Sequence, residues 1–358
     1  MSFRLGLIGA GTIGRLHAES ATAVGTEVAG VCDVIEQRAE EVAELCPGAK
    51  AMTDIDELLE LSELDAVVVA VPNHLHAEYA IKALDAGMDV LLEKPMAMDA
   101  AECDEILAAK RRNKRIIQLS FVCRCAPTTL IVERFIESGR FGRIYHARAS
   151  WIRRRGIPGL GGWFTTKASA GGGVLIDLGV HMIDLIMHLT GRKKVLRASG
   201  VCTSTFGSPI DQYLYTEMFA GPPEPAGTFD VEDAATGLLR FEDGLTMELA
   251  TTWAANMIED ILPSGIMLMG EKGGCYYDIW SDRIRIATEQ DGHLVDVTPH
   301  VRPGDMWAEA WKLQHRRFAE CVMKRNEPDA RAEHGREVQA VLDALYRSSA
   351  EGREVEVG

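Results

Sequence analysis

A glycine-rich hexapeptide, Gly9-Ala10-Gly11-Thr12-Ile13-Gly14, stands between an apolar run over residues 3–8 and a stretch of helical pattern. Few folds tolerate such a turn at a strand-to-helix junction. The first glycine permits the tight turn, the second lets a backbone approach a phosphate, and the third allows close helix–strand packing. Asp33 ends a second apolar run, Glu27–Cys32, and follows Gly14 by 19 residues. At that spacing a carboxylate accepts hydrogen bonds from the adenosine ribose of a bound dinucleotide. The helix opening at Thr12 and Ile13 would offer its N–H groups and partial positive charge to the pyrophosphate. A plain strand–helix turn is the competing reading, and the strand, helix and acid in their places argue against it.

The same acid bears on cofactor choice. A carboxylate at residue 33 repels a 2′-phosphate, so NAD is expected over NADP. Arg38 lies five residues later and could stack on adenine or neutralise a phosphate, but its helical position also suits a solvent-facing side chain.

Strand-like and helix-like segments alternate through the first third of the chain. Further apolar runs cover residues 65–71, Asp89–Leu92 and residues 115–121, and Ala77, Ala80, Ile81 and Leu84 share one helical face between two of them. This alternation implies a parallel sheet covered on both faces. After about residue 123 hairpins take over. Ala234–Phe241 and residues 245–253 flank Asp243-Gly244, residues 284–288 and 294–298 flank Asp291-Gly292, and residues 266–269 and 275–279 flank Lys272-Gly273-Gly274. In the run after Gly244, Leu245, Met247 and Leu249 alternate with Thr246, Glu248 and Thr251. Helices are expected over residues 307–325 and 335–350. Two domains follow, residues 1–123 and 124–358, within a chain of 358 residues. The stretch 207–227 reads as a long loop, either a lid or interface arm or plain surface irregularity.

The net charge of −15 disfavours a nucleic-acid partner, which needs a basic face. It equally disfavours an anionic membrane surface. No apolar run reaches the ~20 residues of a membrane span, and no targeting signal is read, so a cytoplasmic protein is expected. Eight scattered cysteines without a C-x-x-C pattern suit reduced thiols rather than a disulfide or zinc framework.

Two further constellations carry chemistry. Glu93-Lys94-Pro95 follows the fourth apolar run, where open α/β sheets bind ligands. Lys94 there can donate to a hydroxyl oxygen, although a surface lysine fits the tripeptide alone. Second, Gly171-Gly172-Gly173 leads into a helix with Asp177, His181 and Asp184 at i, i+4 and i+7, on one face. Metal ligation, acid–base catalysis by His181 with Asp177 setting its tautomer, and a buried structural network all fit that stripe.

Glycine loop and His17, Val71-Pro72-Asn73-His74-Leu75-His76, Glu93-Lys94-Pro95 and G-G-G-x-x-x-D-x-G-x-H-x-x-D occur together in an order and spacing that resembles the glucose–fructose oxidoreductase / inositol dehydrogenase (Gfo/Idh/MocA) family. The resemblance spans nearly the whole chain and includes Val231-Glu232-Asp233. It implies an α/β protein: an N-terminal Rossmann domain with a doubly wound parallel sheet, and a C-terminal α+β domain with a large, mostly antiparallel sheet. That second sheet is expected to form homodimers or homotetramers.

The implied activity is nicotinamide-dependent oxidation or reduction of a secondary hydroxyl on a sugar or cyclitol. Lys94, Asp177 and His181 match the family's catalytic residues. Pro72, Asn73, His76 and Glu93 match residues lining the nicotinamide side, and Arg124 matches a family arginine with a structural or pocket role. The resemblance also sets the metal option aside. A glycoside-cleaving enzyme that oxidises transiently, eliminates and regenerates its NAD is the alternative; intact Lys94, Asp177 and His181 argue against a mere nucleotide sensor. For the substrate, Trp163 could stack on a sugar ring. Arg153 and Arg155 could clamp a carboxylate or phosphate, but an arginine run along a strand that pairs with the chain's excess acids is the preferred reading.

Overall fold

The computed structural model describes residues 3–61, 64–215, 219–258, 264–302 and 304–358. The chain forms two compact units, Met1–Val122 with Ala310–Gln339, and Cys123–Glu309 with Ala340–Gly358. Where the strand–helix pattern predicts one boundary, at 123, the chain passes between the units three times. The reason lies in the first unit's core, where Phe318, Ala319 and Val322 pack with Phe3, Leu5, Leu7, Val28 and Val31. Phe3 and Phe318 meet edge to face at 6.0 Å. Nothing in the strand–helix alternation points to a contribution from a segment that resumes only at Ala310.

The first unit holds strands β1 (Arg4–Ile8), β2 (Glu27–Cys32), β3 (Lys50–Met52), β4 (Ala66–Val69), β5 (Asp89–Leu92) and β6 (Ile117–Leu119). Helices α1 (Thr12–Ala23), α2 (Glu36–Ala43), α3 (Ile55–Leu59), α4 (His76–Asp85) and α5 (Ala100–Asn113) connect them. The sheet is parallel in the order β3-β2-β1-β4-β5-β6, which is the doubly wound order of a Rossmann fold. β4 and β5 are buried along their whole length, as strands covered on both faces must be. β3 was not foreseen, because Lys-Ala-Met carries no apolar period.

The second unit holds β7 (Ile144–Ile152), β8 (Val195–Thr203), β9 (Ala234–Phe241), β10 (Thr246–Thr252), β11 (Gly265–Gly270), β12 (Gly273–Tyr277), β13 (Ile284–Gln290), β14 (His293–Val297) and β15 (Val355–Glu356). Their order is β14-β13-β12-β11-β7-β10-β9-β8-β15, antiparallel except for the parallel β7–β10 pair at the centre. Helices α6 (Pro127–Glu137), α7 (Lys167–Ala170), a π-helical turn Leu175–Gly179 and α8 (Val180–Leu189) belong to this unit. Two helices close the chain, α9 (Met306–Lys324) and α10 (Ala332–Glu351).

Three local expectations change. Thr251 was placed on the polar side of β10, but strict alternation from Met247 puts it inward, and it is buried. The glycines of Lys272-Gly273-Gly274 pair in the ladder, Gly274 opposite Met269, so the turn sits one residue earlier. Lys167–Leu189 is by length and composition long and apolar enough to cross a membrane, but 89% of its apolar window is buried inside the protein, as in a core helix. The described part of the 207–227 loop is tied to residues 159–162 by Gly159 N–H to Phe219 O (2.8 Å) and Glu224 N–H to Leu160 O (2.8 Å). Residues 216–218 of that loop lie outside the described residues.

Candidate active site

In the first unit the glycine turn is built by close approach. Gly9 has φ +96°, and a Cβ there would meet Ala70 O at 2.3 Å; a Cβ on Gly14 would meet Gly9 O at 2.0 Å. Around Gly11 the space is open: a Cβ would find nothing within 4 Å. Gly11 is also the N-cap of α1 and supplies no capping side chain. The first turn, with Thr12 and Ile13, therefore presents N–H groups to an uncrowded space, which fits a pyrophosphate. Asp33 closes the site. Its Oδ2 accepts from Ala10 N–H (2.8 Å) and its Oδ1 from Ile35 N–H (2.9 Å). The carboxylate is thus pinned to the glycine turn and keeps lone pairs for ribose hydroxyls. Arg38 lies exposed on α2.

These contacts separate two substitutions. Gly9→Ala should lower the melting temperature, because a backbone carbonyl occupies its Cβ position. Gly11→Ala should fold with an unchanged melting temperature and bind NAD about tenfold or more weakly, read by calorimetric titration. Equal NAD affinity in Gly11→Ala would remove the turn from the cofactor site.

At the ends of β4 and β5 the site is held from below. The His76 ring lies with Nδ1 2.7 Å from Pro95 O and Nε2 2.9 Å from Val71 O. Burial pushes its pKa down, against the pull of Pro95 O, the Glu93 charge and Val71 O. The loop after Val71, with Pro72 and the buried Asn73, is thereby tied to the segment that follows Lys94. Glu93 is buried as well. Its Oε1 accepts from His17 Nε2 (2.9 Å) and its Oε2 from the Lys94 backbone N–H (3.2 Å). Burial pushes the Glu93 carboxyl up, but the hydrogen bond and charge of His17, the Lys94 charge and the Ser120 hydroxyl outweigh it and hold it at about 2. His17 Nδ1 lies 3.0 Å from His315 Nε2, and Trp311 stands edge-on to His17 at 4.9 Å. Burial, and then the His17 charge, keep His315 well below the ordinary histidine range. Sequence reasoning missed His315 and Trp311, and no local motif marks them. Lys94 itself is half-buried.

In the second unit Asp177 and His181 do not sit on a continuous α-helix. Asp177 lies in the π-helical turn and His181 is the second residue of α8. Such wide turns recur at functional sites. Asp177 Oδ2 accepts from Trp253 Nε1 (2.8 Å), and the Trp151 ring lies 6.0 Å from the His181 ring at 42°. Trp151 and Trp253 extend from β7 and β10, the parallel central pair, in register Thr251 opposite Trp151. Asp184 departs from the expected stripe. It is fully buried, and Arg124 donates to it from Nε (2.8 Å) and Nη2 (2.5 Å), with Arg192 Nη1 at 3.3 Å. Burial pushes the Asp184 carboxyl up; the Arg124 charge and hydrogen bonds, then Arg192 and His188, bring it below the usual range.

Glu232 fixes the start of this helix. Its carboxylate accepts from Gly173 N–H (2.9 Å to either oxygen), Leu175 N–H (3.0 Å) and the Tyr346 hydroxyl (2.8 Å). The glycine run makes room for it, since a Cβ on Gly172 would meet Tyr346 Oη at 2.0 Å and one on Gly173 would meet Glu232 O at 2.0 Å. An acid at a helix N-terminus is favourable for both hydrogen bonding and the dipole.

The substrate candidates part company. Trp163 is stacked on Phe164 at 4.0 Å; the indoles beside Asp177 and His181 are Trp151 and Trp253. β7 ends at Ile152, so the arginines follow the strand rather than alternate along it. Arg155 donates to Arg154 O, Ala255 O and Asn256 Oδ1 and lies over the Phe206 ring. Arg153 lies over the Trp151 ring, 5.5 Å from its centroid, and donates to Gly156 O. Among the described residues no group of three or more His, Cys, Asp or Glu could hold a metal ion.

Two family models match the chain. One, described as an oxidoreductase family with an NAD-binding Rossmann fold, covers residues 3–121; the other, the GFO/IDH/MocA C-terminal domain, covers residues 129–276. D-glucoside 3-dehydrogenase of Escherichia coli (strain K12) is 30% identical over 99% of this chain and 97% of its own length. Inositol 2-dehydrogenase 2 of Saccharopolyspora erythraea is 34% identical over 61% of this chain and 64% of its own. Among solved structures, levoglucosan dehydrogenase in complex with NADH superimposes with a TM-score of 0.86 over the full length of both chains at 22% identity, a likeness of fold.

Proposed function

The chain belongs to the Gfo/Idh/MocA oxidoreductase family, and from that premise we propose that it interconverts a secondary hydroxyl of a sugar or cyclitol and the corresponding ketone. The observation that carries this reading is the pair of Asp177, in a wide helical turn, and His181, just after it, each with an indole beside it. Bound NAD would supply the hydride acceptor: the carbinol carbon gives up hydrogen with its electron pair, the hydroxyl gives up a proton, and a ketone remains. Gly9, Gly11, Thr12, Ile13, Gly14 and Asp33 would hold the dinucleotide. Pro72, Asn73, His76 and Glu93 would shape its nicotinamide end through the backbone they fix, and Arg38 would stand near the adenosine.

His181 takes the hydroxyl proton in the proposed direction of oxidation. Asp177, fixed by the Trp253 N–H, orients His181 or a neighbouring substrate hydroxyl. Lys94 donates to the reacting oxygen and stabilises its developing negative charge. Its backbone is held by Glu93, and Glu93 by His17, so that the ammonium group projects from a rigid strand end. The motif order and spacing support joining Lys94 to Asp177 and His181 in one mechanism. The same resemblance supports a homodimer or homotetramer formed through the nine-stranded sheet.

The test is an absorbance screen for NADH with sugars, cyclitols and their acids. Net NADH formation is the expected result; glycoside cleavage without it would favour transient oxidation with elimination. With an accepted substrate, NAD should give a kcat/KM at least about tenfold above NADP, because Asp33 repels a 2′-phosphate. A preference for NADP would overturn that assignment.

A further inference from the structure

Strand alternation gives Trp151 and Arg153 a common side. Ala147 and Ala149 on β7 are buried and share their parity, whereas Arg148 between them is exposed. Trp151 thereby reaches His181, and Arg153, just past the strand end, lies over the same indole. Arg153 is half-buried, and its one hydrogen bond from a guanidinium nitrogen among the described residues goes to the carbonyl of Gly156. No carboxylate pairs with it among those residues, although acids outnumber bases in the chain by 53 to 38. Among the described residues the expected pairing of this arginine with the protein's own acids is therefore not seen. Arg154 and Arg155 follow directly and add to the positive charge there.

We propose that Trp151 and Arg153 form a subsite for a substituent bearing anionic oxygen, a carboxylate or phosphate, on the sugar or cyclitol that His181 deprotonates. A guanidinium held over an indole by cation–π attraction has fewer orientations to lose, and its planar fork matches such oxygens. The indole meanwhile offers an apolar face to the ring's C–H groups. The inference rests on the dehydrogenase reading and narrows it to acidic or phosphorylated substrates.

The experiment uses the full chain with NAD and matched ligands: glucose, glucuronate and glucose 6-phosphate, then galactose and galacturonate. Two readouts are taken, NADH formation and equilibrium binding by tryptophan fluorescence. An anionic ligand should be favoured over its neutral partner by about 10- to 100-fold, the worth of one charge-assisted hydrogen-bond set. In Arg153→Met that ratio should fall to near one, and in Arg153→Lys it should be intermediate; unchanged melting curves show that both variants fold. Uronate and phosphate arms tell which anion is read. Equal or better use of the neutral partner by the wild type would overturn the inference and leave the dehydrogenase reading intact. A preference surviving in Arg153→Met would overturn it as well. Selective binding of the anions without NADH formation would support the subsite and count against the dehydrogenase reading.

Discussion

His181→Ala should lower kcat by about 10²–10⁴, the usual contribution of a positioned acid–base group. The loss should fall on kcat more than on KM, because Trp151 and the Trp253-held Asp177, proposed to contact the substrate, stay in place. The limb of the pH–rate profile that belongs to a histidine base should vanish with it. Stability should change little by comparison, since Glu232 anchors the turn that leads into α8 and an apolar core holds α8 along its length. Turnover close to wild type would remove His181 from proton transfer and leave Lys94 as the base. His181→Asn, which keeps a polar group of similar size, should be as slow as the alanine variant if the proton is the point.

Arg124→Ala should destabilise the protein by about 3–5 kcal/mol, because it strands a buried carboxylate. For a domain of this size that is roughly 6–20 °C in Tm, at about 2–4 °C per kcal/mol. Arg124 and Asp184 are each only 1% exposed, and Arg192 alone cannot replace the two-point contact. Replacing both partners, as in Arg124→Met with Asp184→Leu, should recover much of the loss, since an apolar pair needs no desolvation of charge. The sign with pH follows from the lowered Asp184 carboxyl. Its contribution is fully present above the unfolded aspartate value of ~3.9 and is lost as the pH falls from there through the folded value. A raised sugar KM with unchanged stability in Arg124→Ala would instead make Arg124 a substrate ligand.

Motifs with short-range geometry were legible before any coordinates. Gly9–Gly14 and Asp33 could be assigned jobs because turn, helix start and acid lie within one βαβ unit. The hairpins at Asp243-Gly244 and Asp291-Gly292 were legible for the same reason. What stayed hidden depends on distant partners. Asp184 fits the i, i+4, i+7 stripe with Asp177 and His181, yet the π-helical turn breaks the stripe and Arg124 captures Asp184. Trp163 was the sugar-stacking candidate in the sequence; that Trp151 is the indole beside His181 emerges only once β7 packs on α8. His17 was visible as part of a motif, but its neighbour His315 lies 298 residues away. Glu232 was noticed only as a tripeptide; its capping role needs the glycine run and Tyr346 brought together.

The interleaving of the two units has a consequence for the order in which the protein is made. The first unit takes Met1–Val122 from the start of the chain and Ala310–Gln339 from near its end. As the nascent chain leaves the ribosome, the glycine turn and parallel sheet emerge early, but Phe3 has no Phe318 and His17 has no His315. At about 5–20 residues per second the missing stretch follows roughly 10–40 s later. Throughout that interval the second unit is being synthesised whole, apart from its last helix turns and β15. The dinucleotide-binding half thus begins first and finishes late, and a ribosome stalled near residue 123 would carry an apolar surface waiting for α9.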